Sequence, residues 1–171
     1  MTNKEASYNQ EHMVANFLGW QVVSGSGSRP FSPGDIKNEN YLLECKTHTK
    51  EQSNIVFYKN HWDKICKEAR SVNKYPALVV DEGSQRAENT WVMIPKRVIP
   101  VENINQVLHL VNTSTSHNTV TFANQEAKDI YKLISTSNSE VDFFEDSFGD
   151  EPLAILSLTE FKKFYQEQFE S

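Results

Sequence analysis

The residues best suited to chemistry in this 171-residue chain are an acid and a lysine in a short apolar segment, YLLECKT at 41–47. Side chains alternate between the two faces of a strand, so Glu44 and Lys46 would share one face while Cys45 points to the other. Two charges on a buried strand are costly unless they are paired or bind a metal ion. The segment therefore predicts either a local salt bridge at a strand end or part of a metal-dependent site.

A second acid, Asp35, follows Pro33 and Gly34 and precedes Glu44 by nine residues. A bend there would bring the two carboxylates together beside Lys46. Such a set suits Mg²⁺, with Mn²⁺ as a substitute, because these hard ions prefer oxygen ligands. The ion would activate a water and neutralise charge on a phosphodiester, and the lysine would position the water and stabilise the negative charge. The alternative for Asp35 is an ordinary turn aspartate.

Pro33, Asp35, Glu44 and Lys46, with one glycine inserted between the proline and the acid, resemble the motif of the PD-(D/E)XK nuclease superfamily. The resemblance implies a restriction-endonuclease-like α/β core, with a central mixed sheet flanked by helices, and Mg²⁺-dependent hydrolysis of DNA. Over residues 5–82, the order of helix acid, Gly-Ser-Gly-Ser, Gly-Asp and Glu-x-Lys is similar to archaeal-type and phage Holliday junction resolvases.

The resolvase resemblance also implies a further catalytic glutamate on the first helix. Glu11 is the candidate, both as a catalytic residue and as a third metal ligand, because it lies at the edge of the apolar Val14/Leu18 face. Glu5 falls on the opposite, polar face and is the other helix acid to consider. The alternative is that Glu11 is a surface acid.

Phosphate contacts are expected from small and basic residues around the motif. The resemblance implies contacts from Ser26 and Ser28, whose small neighbours let a phosphate approach the backbone. Arg29, Lys64 and Lys67 are the basic candidates, with a flexible hairpin and a solvated helix face as alternatives. Residues 1–76 carry ten Lys and Arg against eight Asp and Glu, whereas residues 77–171 carry seven against fifteen. A polyanion should therefore meet the N-terminal half.

The hydrophobic pattern predicts the elements that position these residues. Apolar positions at helical spacing predict helices over 5–18, ended by Gly19, and over 61–72, stopped by Pro76. Apolar runs predict strands at 21–23, 41–47, 77–80 and 91–94, and residues 55–58 form either a short strand or the entry to a helix. This order of helices and strands predicts an α/β core.

The expected organisation is a nuclease core over 1–100 and a C-terminal extension over 101–171 that packs on the same domain. Residues 102–111 are ambiguous between helix and strand, 125–135 should be helical, and 138–151 should form an acidic loop. Leu153–Leu156 is expected as an edge strand. A capping-box pattern from Ser157 to Glu160 predicts a final helix.

The sequence predicts a Mg²⁺-dependent endonuclease acting on branched DNA such as four-way junctions, working as a homodimer because such a junction needs two symmetric cuts. The first alternative is a related nuclease acting on duplex DNA, DNA ends or in defence. The second is a non-catalytic DNA mimic or partner-binding protein on a nuclease fold. No apolar run approaches roughly 18 residues, no secretory signal is seen and the two cysteines lack metal-ligand spacing. A cytoplasmic protein without membrane contact is expected, with a phage or mobile-element origin suggested by the resemblance.

Overall fold

The computed structural model describes residues 1–23, 33–110, 113–134 and 140–170, and it has the predicted α/β architecture, a large mixed sheet flanked by helices. The strands are β1 Gln21–Val22, β2 Ile36–Lys37, β3 Tyr41–Lys46, β4 Asn54–Tyr58, β5 Tyr75–Val80, β6 Trp91–Pro95, β7 Ile104–Leu108, β8 Ser114–Thr115, β9 Thr119–Ala123, β10 Val141–Asp146 and β11 Leu153–Ser157. The α-helices are α1 Asn3–Leu18, α2 Lys59–Ser71, α3 Asn124–Lys132 and α4 Leu158–Tyr165, the last followed by a π-helical turn at Gln166–Glu170. Short 3₁₀ turns occur at Ala87–Asn89, Lys96–Val98 and Val101–Asn103.

Eight of the described strands form the large sheet, in the order β1-β2-β3-β5-β6-β11-β10-β7. The pairs β3–β5 and β10–β7 are parallel, and the other neighbours are antiparallel. A smaller antiparallel sheet contains β4, β9 and β8 in that order. Because β3 and β5 are parallel, their carboxyl ends meet at one edge, where Lys46 pairs with Val80.

Each face of the large sheet has its own apolar core, and β3 contributes to both by alternation. Leu43 and Cys45 pack with α1 and α4 on one face. Leu42 packs with α2 and the smaller sheet on the other. The opposite directions predicted for Cys45 and Glu44 follow from this alternation.

The helices that flank β3 follow the predicted pattern closely. Gly19 ends α1 in the left-handed conformation, at φ 75°, and its N–H donates to the Ala15 carbonyl at 2.8 Å. The α2 helix buries Trp62, Ile65 and Ala69, three members of the predicted apolar stripe. Residues 54–58 are a strand, β4, and α2 starts directly after it at Lys59.

The prediction of an acidic loop over 138–151 is wrong for 141–146, which form β10. Val141 and Phe143 are buried on the α1 face of the sheet and Phe144 is buried on the α2 face. Burying three large apolar side chains outweighs the local density of acids, which had suggested a solvated loop. Even Asp142 is buried, and its Oδ1 accepts from the Asn105 amide at 2.8 Å.

The prediction that Leu153–Leu156 forms an edge strand is also wrong, because β11 lies between β6 and β10. All four residues are buried, two against each core, and an unbroken apolar run is typical of a strand covered on both faces. The ambiguous segment 102–111 contains the edge strand instead, β7. The predicted cap of α4 is confirmed, since Ser157 Oγ accepts from the Glu160 N–H at 3.1 Å.

No helix in the described ranges is both long and apolar enough to cross a membrane.

Candidate functional site

Asp35 is fixed beside β3 by backbone and side-chain hydrogen bonds. Its N–H donates to the Leu43 carbonyl at 2.8 Å, and its Oδ2 accepts from the Cys45 N–H at 2.9 Å. The bend before it depends on Gly34, which has φ 67°. A Cβ at that position would lie 2.6 Å from Leu42 Cγ. Glycine, which has no Cβ, therefore lets the chain pass close to β3 at this bend. The bend brings Asp35 to Glu44, as the spacing predicted.

Glu44 lies on the α2 face of β3 with 3% of its surface exposed, and it shares a side-chain hydrogen bond with Asp35. Burial, followed by the hydrogen bond and the negative charge of Asp35, raises the pKa of Glu44 from 4.5 to about 7, although Lys64 and Lys46 act in the opposite direction. Two carboxylates in contact cannot both be ionised cheaply. Glu44 therefore holds a proton up to near neutral pH unless a cation replaces it.

Two lysines reach the same oxygen of Glu44. Lys46, two residues along the strand, places its Nζ 3.9 Å from Glu44 Oε2. Lys64, from α2, places its Nζ at 2.7 Å from that oxygen and 3.3 Å from Glu68 Oε1. Burial lowers the pKa of Lys64, but the hydrogen bond and charge of Glu44 and the charge of Glu68 outweigh it, so the pKa is raised. Lys64 is therefore charged beside the two carboxylates.

The carboxyl end of β3 is held by polar groups from α1 and β5. Gln10 Nε2 donates to the Lys46 carbonyl at 2.6 Å, and the Asp81 N–H donates to the same oxygen at 3.3 Å. Asp81 Oδ1 accepts from the Thr47 hydroxyl and, at 2.8 Å, from the Gly83 N–H. Burial raises the pKa of Asp81 to about 6 against the effect of these bonds. These contacts fix the backbone that carries Lys46.

No sequence motif marked Gln10, Asp81 or Glu68 as supporting residues. Gln10 is fully buried on α1, and a buried amide one position before the candidate Glu11 would have been a signal. Asp81 directly follows the apolar run of β5, where the carboxyl ends of parallel strands meet. Burial and then the charges of Lys46 and Lys64 lower the pKa of His61, which places its ring near both lysines.

Glu11 lies on α1, across the sheet from α2, and is partly exposed. Its charge reaches the Cys45 thiol, whose pKa is raised well above its usual range by burial first and then by Asp35, Glu11, Glu44 and Asp81. In the described part of the chain, no group of three or more His, Cys, Asp or Glu side chains is arranged around a possible metal position. The role of Glu11 as a third ligand stays a prediction. Cys45 itself is buried and protonated, consistent with a packing role.

The predicted DNA contacts divide into two groups. Ser26, Ser28 and Arg29 lie outside the described residues. Lys64 and Lys67 are exposed on α2, and of these Lys64 belongs to the carboxylate site itself. The structure thus brings together Asp35, Glu44, Lys46 and Lys64.

Comparisons with protein-family models, with curated proteins and with solved structures find no significant match to this chain. The assignment of a function therefore depends on the chemistry of the site.

Proposed function

We propose that this protein is a Mg²⁺-dependent nuclease of the PD-(D/E)XK type, on a restriction-endonuclease-like core, that hydrolyses DNA phosphodiester bonds. The observation that carries the proposal is the contact between the Asp35 and Glu44 carboxyls at the end of a buried strand, next to two lysines. Burying a carboxylate against another carboxylate costs stability, and such costs are typical of functional sites.

The residues fit a Mg²⁺ ion. Mg²⁺ is commonly held by one or two carboxylates and otherwise keeps its waters, so Asp35 and Glu44 suffice without a third protein ligand. The charge requirement also fits, because a divalent cation would replace the proton that Glu44 holds near neutral pH. When bound there, the ion would activate a water for hydrolysis and neutralise charge on the phosphate, and Mn²⁺ would substitute.

The side chains of the site then have separate roles. Asp35 and Glu44 hold the cation. Lys46, 41% exposed at its side chain and next to Glu44, is placed to orient the attacking water and to stabilise the negative charge that develops on the phosphate oxygens. Glu11 remains the proposed assisting acid, and Lys67 on the exposed side of α2 a proposed phosphate contact.

Branched DNA, in particular a four-way junction, is the proposed substrate, and it rests on the resemblance of residues 5–82 to junction resolvases. Two symmetric cuts require two sites related by a two-fold axis, so a homodimer is part of this proposal. Sedimentation of the purified protein would measure the oligomeric state directly.

A DNA-mimic function is not supported by the arrangement of the acids in 138–151. Glu145 forms an ion pair with Lys96, Glu151 with Arg97 at 3.1 Å, and Asp150 with Lys59 at 3.7 Å. Asp142 is buried. A mimic needs a free acidic surface, whereas three of these acids are paired with cations of the same chain and the fourth is buried.

The test is cleavage of end-labelled four-way junction, linear duplex and single strand by the purified protein in Mg²⁺, with Asp35→Asn as the matched inactive variant. We expect junction cleavage by the wild type, and none above background by the variant at an unchanged circular dichroism spectrum. Equal cleavage by both proteins would show that the activity comes from elsewhere. Cleavage of the linear duplex alone would agree with a nuclease activity and would exclude the four-way junction as its substrate. No cleavage of any substrate in Mg²⁺ or Mn²⁺ would contradict the proposed activity.

A further inference from the structure

Of the two lysines that reach Glu44, the closer one comes from α2 and not from the E-x-K segment. Lys64 Nζ lies 2.7 Å from Glu44 Oε2, hydrogen-bonding distance, whereas Lys46 Nζ lies at 3.9 Å from the same atom. Of the two lysines, Lys64 therefore makes the charge-assisted hydrogen bond to this oxygen.

A divalent ion at Asp35 and Glu44 would compete with this contact. An oxygen that accepts from an ammonium at 2.7 Å has that lone-pair direction occupied, and a second cation placed nearby would repel the ammonium. Lys64 is free to leave, since its side chain is 57% exposed and departure uncovers little apolar surface.

Glu68 provides a place for Lys64 after it leaves. The Glu68 carboxylate is one helical turn further along α2, and its Oε1 already lies 3.3 Å from Lys64 Nζ. Its Oε2 accepts from the Gly34 N–H at 3.4 Å, at the bend that carries Asp35. Lys64 can therefore move from the buried carboxylate of Glu44 to the partly exposed carboxylate of Glu68 on its own helix.

We propose that Lys64 is the counter-ion of the metal-free Asp35/Glu44 pair, and that a divalent cation displaces it from Glu44 and frees its ammonium to bind a DNA phosphate beside the site. This inference rests on the proposed function, because it requires a metal at Asp35 and Glu44. Metal binding and DNA binding then depend on each other through the Lys64 side chain. A bound phosphate attracts Lys64 away from Glu44 and favours metal binding, and a bound metal frees Lys64 to bind the phosphate.

The first measurement is Mg²⁺ affinity by titration calorimetry, without DNA, on wild type, Lys64→Met, Lys64→Arg and Lys67→Met. Removing the competing ammonium should tighten Mg²⁺ binding about tenfold, equivalent to about 1.4 kcal/mol. Lys64→Arg keeps a competing cation and should stay close to the wild type. Lys67→Met removes the same charge from an exposed position of the same helix and should change the affinity less than about twofold.

The Lys46→Met variant distinguishes displacement of Lys64 by the metal from simple repulsion between the metal and a nearby positive charge. It removes a positive charge 3.9 Å from Glu44 Oε2 without vacating a hydrogen bond to that oxygen. Displacement predicts a clearly larger gain in Mg²⁺ affinity for Lys64→Met than for Lys46→Met. Equal gains would mean that Lys64 acts only as a nearby charge and would overturn the proposal.

The second measurement is DNA affinity by fluorescence anisotropy, in EDTA and in Ca²⁺, which binds oxygen ligands but is expected not to support efficient cleavage. Lys64→Met should bind DNA like the wild type in EDTA, where Lys64 is held by Glu44, and several-fold more weakly in Ca²⁺. Equal weakening in both conditions would refute metal-dependent release.

The failure of this inference is distinguishable from the failure of the proposed function. If the wild type binds no Mg²⁺ at millimolar concentration, the metal site itself is wrong. If the wild type binds Mg²⁺ and Lys64→Met binds it equally well, the site stands and the displacement is wrong. If Lys64 is purely structural, Lys64→Met will lower the melting temperature while leaving the Mg²⁺ affinity unchanged, which would also overturn the displacement.

Discussion

Replacing Glu44 by glutamine should make the metal-free protein more stable while destroying its proposed activity. A carboxyl whose pKa is raised in the folded state stabilises the fold when protonated and opposes it when ionised. The stability associated with Glu44 is therefore fully present below its unfolded pKa near 4.5 and is lost as the pH rises to about 7. Glutamine keeps the shape and can still hydrogen-bond to Asp35, but it carries no charge to be buried.

The size of the gain in stability follows from the shift in the pKa of Glu44. Each pKa unit corresponds to about 1.36 kcal/mol, so a rise from 4.5 to about 7 opposes folding by up to about 3 kcal/mol above neutral pH. Glutamine also weakens the charge-assisted hydrogen bond from Lys64, which reduces the stability recovered by the substitution. We expect Glu44→Gln to gain about 1–3 kcal/mol at pH 8, which for a chain of this length is a rise of about 2–10 °C in Tm.

The assay is thermal unfolding in EDTA at pH 8 and at pH 5, with Glu68→Gln as the matched control. Glu68 also pairs with Lys64 but is more exposed, at 21% of its side chain, so its substitution should change Tm little. The advantage of Glu44→Gln should shrink at pH 5, where Glu44 of the wild type is protonated, and Mg²⁺ at pH 8 should stabilise the wild type and Glu68→Gln but not Glu44→Gln. If Glu44→Gln melts below the wild type at pH 8 in EDTA, Glu44 is a structural ion-pair residue and the metal-site interpretation is refuted.

Three further predictions concern the same site. Lys46→Ala should lower the turnover of cleavage far more than DNA affinity, because one surface cation among many adds modestly to binding, and a variant that melts early yet cuts normally would contradict this role. Mg²⁺ and Mn²⁺ should support cleavage whereas Ca²⁺ supports mainly binding, and full activity in EDTA would exclude a metal-dependent reaction. Gly34→Ala should cost about 1–3 kcal/mol, because φ 67° is strained for alanine and its Cβ would press on the buried Leu42 side chain, and an unchanged denaturation midpoint would argue against this bend.

The sequence was most informative where local pattern and tertiary contact agree. Alternation along β3 placed Glu44 and Lys46 on one face, and the Pro-Gly-Asp bend placed Asp35 next to them. Both inferences need only the period of a strand and the geometry of a turn, which are properties of a few consecutive residues.

The contacts of Lys64 and of the supporting residues could not be predicted from local sequence pattern. Lys64 was expected on a helix as one phosphate contact among several, and nothing local indicates that α2 crosses β3 with Lys64 opposite Glu44, 20 residues away. Gln10 reaches the Lys46 carbonyl over 36 residues. These contacts depend on how helices pack on the two faces of the sheet, and the spacing of residues within one element does not determine that packing.

Charge counting along the chain is limited for a related reason. The excess of acids after residue 76 predicted that a polyanion would meet the N-terminal half, but a count does not show which acids and bases, distant in sequence, pair with each other in the fold. Lys59 on α2 pairs with Asp150 in addition to Asp63, and Arg97 pairs with Glu151 across 54 residues. Because β10 and β11 complete the sheet that begins with β1, Glu145, Asp150 and Glu151 lie against cations of the same chain. The electrostatic field that a DNA strand would meet is therefore set by unpaired cations near the site, such as Lys67, and by whichever partner holds Lys64.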